Sequence, residues 1–154
     1  MSDVSKMYKR ILLPLDGSEL AEQALPHAIA QAERFQAELV LFRVIEPLPR
    51  VGGGMSQTAF ERAEGEVKVW AQGYLEDLSA SVKGQGIPVQ VVTMKGNAGK
   101  AIVQFAEANQ VDLIVISTRG HSGLSRWLMG SVADRVLRGA KVPVLLVRAQ
   151  KETT

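Results

Sequence analysis

Five short apolar runs punctuate this chain, and the stretches between them repeat apolar residues at helical spacing. The runs are RILLPL (10–15), ELVLFRVI (38–45), PVQVVTM (88–94), LIVI (113–116) and PVLLV (143–147). The second to fourth have few polar breaks, as strands covered on both faces do. Between them, Ala21, Leu25, Ala28, Ile29 and Ala32 mark a helix over 18–34, and Ile102, Phe105 and Ala106 mark one over 98–109. The longest helix covers 56–84, with a stripe of Phe60, Ala63, Val67, Ala71, Tyr74, Leu75, Leu78 and Val82. Val69 and Trp70 fall off its centre, which makes Trp70 a candidate interface residue. A last helix over 131–138 turns Val132, Val136 and Leu137 inward. The order βαβαβαβαβ predicts an α/β fold: an open parallel sheet, joined by right-handed crossovers, with helices on both faces.

Local signals refine this frame. Pro26 lies inside the first helix, removes one hydrogen bond and predicts a kink. That helix starts either with Asp16 and Glu19 as a capping box or with Ser18 as N-cap. Asn97 is the expected N-cap of the 98–109 helix, and Ser131 with Asp134 forms a second capping-box pattern. The three glycines at 52–54 predict a mobile loop.

At 154 residues the chain has the length of one domain. We place it over 9–148, between a flexible tail at 1–8 and a C-terminal tail at 149–154. There is no cysteine, which excludes disulfides and thiolate chemistry, and two histidines make no metal site by themselves. A net charge of +2 without a basic tract, together with 5% aromatic residues, argues against a nucleic-acid partner. The N-terminus lacks the apolar core of a signal peptide, and no run reaches the roughly 20 apolar residues of a membrane span. The expectation is a cytoplasmic protein without a membrane partner.

Open parallel sheets bind ligands beyond the carboxyl ends of their strands. One such loop stands out: STRGHSGLSRWLMGS, residues 117–131. Gly120 and Gly123 allow close backbone approach. Gly130 and Ser131 sit at a helix start, whose free N–H groups favour an anion. Arg119, His121 and Arg126 add donors or positive charge. This is the chemistry of a phosphate-binding loop, although glycine and serine also gather in strand-to-helix loops for turn geometry alone. A second glycine-containing stretch, KGNAGKA at 95–101, is not a P-loop: Met94 stands where the first glycine is required and Ala101 where the hydroxyl is required.

The 117–131 stretch resembles the nucleotide-binding motif of the universal stress protein family (UspA-type domains), which reads Gly, two residues, Gly, nine residues, Gly, then Ser or Thr. Here Ser117-Thr118-Arg119-Gly120 is followed by nine residues and then Gly130-Ser131. KRILLPLDGSELAEQALPHA near the N-terminus and VPVLLVR near the end are similar to the family as well, so the resemblance spans about Lys9 to Arg148. It departs at one place, where Ser117 replaces the first motif glycine. The resemblance implies an adenine nucleotide alpha hydrolase-like sheet of strand order 3-2-1-4-5. It implies that Pro14, Leu15 and Asp16 line the nucleoside and that the Val44 backbone meets adenine. Ser117, Arg119, Gly120, Gly130, Ser131 and Val132 would hold ribose and phosphates. The implied ligand is ATP or another adenine nucleotide, with Mg2+ as its companion ion. The implied partner is a second copy, joined along the fifth strand in a homodimer.

Three functions follow. The first is a stress-response module that binds ATP and signals through its dimer. The second is a slow ATPase or autophosphorylating enzyme, with Ser122 or Ser131 as acceptors and no convincing general base. The third is a nucleotide-free interaction protein, which Ser117 and the apolar Trp127-Leu128-Met129 cluster would favour. The first is the reading we carry forward.

Overall fold

The computed structural model describes residues 3–50, 52–118 and 130–150. Five strands, β1 (Arg10–Pro14), β2 (Glu38–Ile45), β3 (Val89–Lys95), β4 (Leu113–Ser117) and β5 (Val144–Val147), alternate with helices along the chain. All neighbouring strands pair in parallel, in the order β3-β2-β1-β4-β5. This is the expected doubly covered α/β sheet, with β1 at its centre.

Period-two alternation divides each inner strand between two cores. Ile11, Leu13, Leu39, Leu41 and Val115 face one side. There they meet Ala28 and Ala32 of α2 (Leu25–Phe35) and Leu75 and Val82 of α3 (Gln57–Lys83). Leu12, Val40, Phe42, Ile114 and Ile116 face the other. They meet Ile102, Phe105 and Ala106 of α4 (Ala98–Ala108) and Ala133 and Val136 of α5 (Ser131–Gly139). Full burial of such side chains contributes about 1.5–3 kcal/mol each. β3 differs from the expectation of a strand covered on both faces. It is a sheet edge, and Gln90 and Thr93 interrupt its apolar run, so most of its residues are only half-buried.

Several local expectations are corrected. The first helix is not one kinked element but two, α1 (Glu19–Glu22) and α2. Pro26 stands in the first turn of α2, where its missing N–H would have had no intrahelical partner anyway. Of the two candidate caps of α1, Ser18 is the one that forms, accepting from the Ala21 N–H at 3.1 Å. No Ser131–Asp134 capping box forms. Gly130 is the N-cap of α5, and the Asp134 carboxylate accepts instead from Arg138 Nε at 3.1 Å. Leu137, expected inward, is exposed, and Ala133 joins Val136 in the core. At the N-terminus, residues 4–6 form a 3-10 turn, and Tyr8 packs edge-on against Phe35, with ring centroids 4.7 Å apart. Among the described residues, no helix is long and apolar enough to cross a membrane.

Candidate functional site

β1 pairs with β2 on one side and β4 on the other, so the strand order reverses at the β1–β4 boundary. Those two strands share only two registered pairs, Ile11 with Leu113 and Leu12 with Ile114. Beyond them the strands part. Leu15 N–H turns to the Phe42 carbonyl at 2.8 Å, and Thr118 N–H turns to the Val147 carbonyl at 2.8 Å. The opening between them is the crevice where an open α/β sheet binds its ligand.

A cavity of about 280 Å³ lies there, close to the lower bound of roughly 300 Å³ usual for small-molecule sites. Its walls are brought together from distant places in the chain. Pro14, Leu15 and Asp16 come from the end of β1, Val44 from β2 and Ser117 from β4. Gly130 and Val132 come from the start of α5, and Ala98 and Ile102 from α4. Seven of the expected site residues thus line one cavity. Ser131 lies just outside, in an adjoining groove with Arg135 and Arg138. Arg119 and Gly120, like Gly123, His121, Arg126 and Trp127, lie outside the described residues.

The lining combines two kinds of chemistry. Much of it is apolar, from Phe42, Val44, Ile45, Val67, Ile102 and Ile116, with Arg43 and Glu46 beside Val44 in the chain. α5 also begins at this cavity, with Gly130, which has no side chain to cap the helix. The first N–H groups of that helix therefore have no side-chain acceptor at the N-cap, and they carry the positive end of the dipole. Asp16 is exposed and already accepts from its own turn, through Ser18 N–H at 2.9 Å and Ser18 Oγ at 2.5 Å. An apolar slot joined to an open helix start suits a flat heterocycle carrying an anionic tail.

Sequence reading missed part of this wall. Glu46 and Arg43 line the cavity, as do Leu20 and Ala21 of α1. Glu46 directly follows the last residue of β2, and position alone, just past a strand's carboxyl end, could have marked it. Arg43 carried no such signal, since a charged residue within a strand reads equally well as an edge.

The sequence profile of the universal stress protein family matches residues 7–148. Universal stress protein MJ0531 of Methanocaldococcus jannaschii is 36% identical over 146 residues, covering 95% of this chain and 85% of the relative. Among solved structures, a universal stress protein in complex with cAMP superposes with a TM-score of 0.70 at 23% identity, covering 93% of this chain and 98% of the other. A universal stress protein family member from Arabidopsis thaliana with AMP bound superposes at 0.68 and 16% identity, covering 92% of each chain. At those identities the two structures bear on the fold, while the profile and the archaeal relative bear on descent. The motif spacing around Gly130, the strand order and these matches agree, and the chain belongs to the universal stress protein family.

Proposed function

We propose that this protein binds an adenine nucleotide, ATP in the first instance, in the cavity between β1 and β4, and that it acts as a nucleotide-responsive stress module. The observation that carries the reading is a largely apolar cavity that holds Val44 and also reaches the start of α5 at Gly130, where no side chain caps the helix. Adenine would lie in the slot, with the Val44 backbone at its edge. Asp16 and Ser117 would face the ribose. The phosphates would take the α5 N–H groups, with Val132 beneath, and Arg119, Gly120 and Ser131 would complete the cradle. Family members crystallised with cAMP and with AMP support an adenine nucleotide of some kind.

Magnesium would arrive with the phosphates. Among the described residues no group of three or more His, Cys, Asp or Glu side chains could hold a metal ion. Mg2+ needs only one or two carboxylates when phosphates supply its other ligands. Efficient hydrolysis is not part of the proposal. The Asp16 carboxylate already receives two hydrogen bonds from Ser18, which leaves it poorly placed as a general base.

The same reading includes a homodimer along β5. That strand is a sheet edge whose Val144, Leu145 and Leu146 are half-buried, and an apolar edge invites pairing with another chain.

Isothermal titration of nucleotide-stripped protein with ATP, with and without magnesium, tests the binding. One saturable site per chain is expected. A folded protein that takes up no adenine nucleotide would return the nucleotide-free interaction reading to first place. Light scattering on the same sample tests the dimer, which a charge at Leu145 (Leu145→Lys) should dissociate.

A further inference from the structure

Arg43 sits one residue before the expected adenine contact, on the face of β2 turned toward α3. Its guanidinium lies 5.2 Å from the Trp70 ring centroid and 5.5 Å from that of Tyr74. Those two rings are themselves stacked, 15° from parallel with centroids 6.5 Å apart. On its other side the guanidinium lies against the Asp16-Gly17-Ser18 turn. A Cβ at Gly17 would stand only 3.2 Å from Arg43 Nη1, and Gly17 has φ +86°, so glycine there serves both the turn and the close approach. Arg43 Nη1 is buried and, like the Tyr74 hydroxyl and Arg10 Nε, has no hydrogen-bond partner among the described residues. Burial and the neighbouring Glu22 carboxylate push the Tyr74 hydroxyl well above the usual phenol range.

Resting on the nucleotide reading, we propose that Arg43 is the positioning residue for the turn that presents Asp16 to the nucleoside, and that Trp70 registers whether the site is filled. Two aromatic faces fix the plane of the guanidinium, and the guanidinium sets how far the turn stands above the sheet. A buried donor without an acceptor is rare in native proteins. Its use here is that the turn, drawn in around a bound nucleoside, supplies the acceptor that Nη1 lacks. Movement of the guanidinium then alters the surroundings of Trp70, which is 65% exposed on the outer surface of α3. The sequence feature left unassigned, a tryptophan off the apolar stripe, thereby becomes the outer end of a relay from the cleft.

ATP affinity by calorimetry and tryptophan emission, read together on the wild type, Arg43→Met, Arg43→Lys and Trp70→Phe, test this. Wild-type emission should change on saturation with ATP. In Arg43→Met that change should vanish and affinity should fall about tenfold, with the thermal midpoint showing a folded protein. Arg43→Lys should recover affinity only in part, because an ammonium lacks the planar stack. Trp70→Phe should keep affinity within a few-fold and lose the emission change, which separates Trp70 from Trp127, the other of the two tryptophans. Wild-type affinity in Arg43→Met, or an emission change in Trp70→Phe as large as that of the wild type, overturns the relay alone. A wild type that binds no ATP overturns both the relay and the nucleotide reading.

Discussion

Helices α4 and α5 pack side by side on the same face of the sheet, and both begin at its carboxyl edge, yet their first turns are built differently. α4 opens with Asn97, whose side chain accepts from the Lys100 N–H at 3.2 Å and closes that end of the helix. α5 opens with Gly130, which offers no acceptor. Gly130 has φ −54°, a value open to any residue, so the backbone does not demand glycine there. One helix start carries a side-chain cap, and its neighbour on the same sheet face has none at its N-cap. Gly130 lines the cavity, and the lack of a side chain there leaves that wall open.

The largest effect should come from filling that opening. Gly130→Arg leaves an allowed backbone but puts a long side chain into the phosphate end of the cavity. ATP affinity should fall by about 100-fold or more, while the thermal midpoint moves by no more than a few degrees. Unchanged titration of Gly130→Arg would mean that the phosphates lie elsewhere. A finer break is Gly130→Asp, which gives α5 the kind of cap that α4 has. Its carboxylate would accept from the α5 N–H groups and meet the dipole, stabilising the helix by a few tenths to about 1 kcal/mol. The same carboxylate would repel phosphate. A higher midpoint in urea or heat with about tenfold weaker ATP binding is the expected pair of results. Rising stability with unchanged affinity would show that α5 contributes nothing to the anion.

Much of this arrangement can be read in the chain, but not all for the same reason. The strands and their order are legible because apolar runs such as Leu39-Val40-Leu41-Phe42 must be covered on both faces, and the family resemblance supplies the order that periodicity leaves open. Asn97 is legible as a cap because the type of residue and its place agree. The start of α5 is harder. Ser131 and Asp134 match a capping box in sequence, but the helix begins one residue earlier, so Ser131 is its first turn and Asp134 turns to Arg138. A one-residue shift in a helix boundary costs almost nothing locally, and no side-chain pattern fixes it. Pro26 misleads for a similar reason: its ring is as consistent with the start of a helix as with a kink inside one, and the break at Gln23 and Ala24 carries no glycine or other breaker to decide between them. The Arg43–Trp70–Tyr74 stack is invisible in sequence because it joins β2 to α3 across the sheet face, and no spacing rule relates positions 43 and 70.

The capped neighbour provides the converse test. Asn97→Ala removes the acceptor for Lys100 N–H and should cost about 1 kcal/mol of stability, within the usual range for a lost cap. ATP affinity should stay within about twofold, because that helix start was already closed to the ligand. Although Ala98 also lines the cavity, it does so with its methyl group and backbone, which the change leaves in place. Chemical denaturation and calorimetry on one preparation give both values. A substantial loss of affinity would mean that the two helix starts work together on the anion and that their different caps do not divide the labour.

The smallest effect belongs to the one departure from the family motif. Ser117 ends β4, is half-buried, and lines the same cavity as Asp16 and Gly130. It is not among the non-glycine residues with positive φ, so its backbone has no need of the glycine that it replaces. The question is only what its hydroxymethyl group does to a ribose. If it merely takes up space, Ser117→Gly should tighten ATP binding; if the hydroxyl donates to the sugar, the same change should weaken it. One hydrogen bond contributes about 0.5–1.5 kcal/mol net, so a shift of about two- to tenfold is the expected scale. The backbone at Ser117 is held by pairing with Val147 and is free of strain, and a hydroxyl facing the ribose is then more useful than in the way. We therefore expect weaker binding in Ser117→Gly, with 2′-deoxy-ATP losing less between the two proteins than ATP does. Tighter binding of both nucleotides by Ser117→Gly would instead make Ser117 an obstruction, and the open start of α5 would then be the feature that sustains binding despite it.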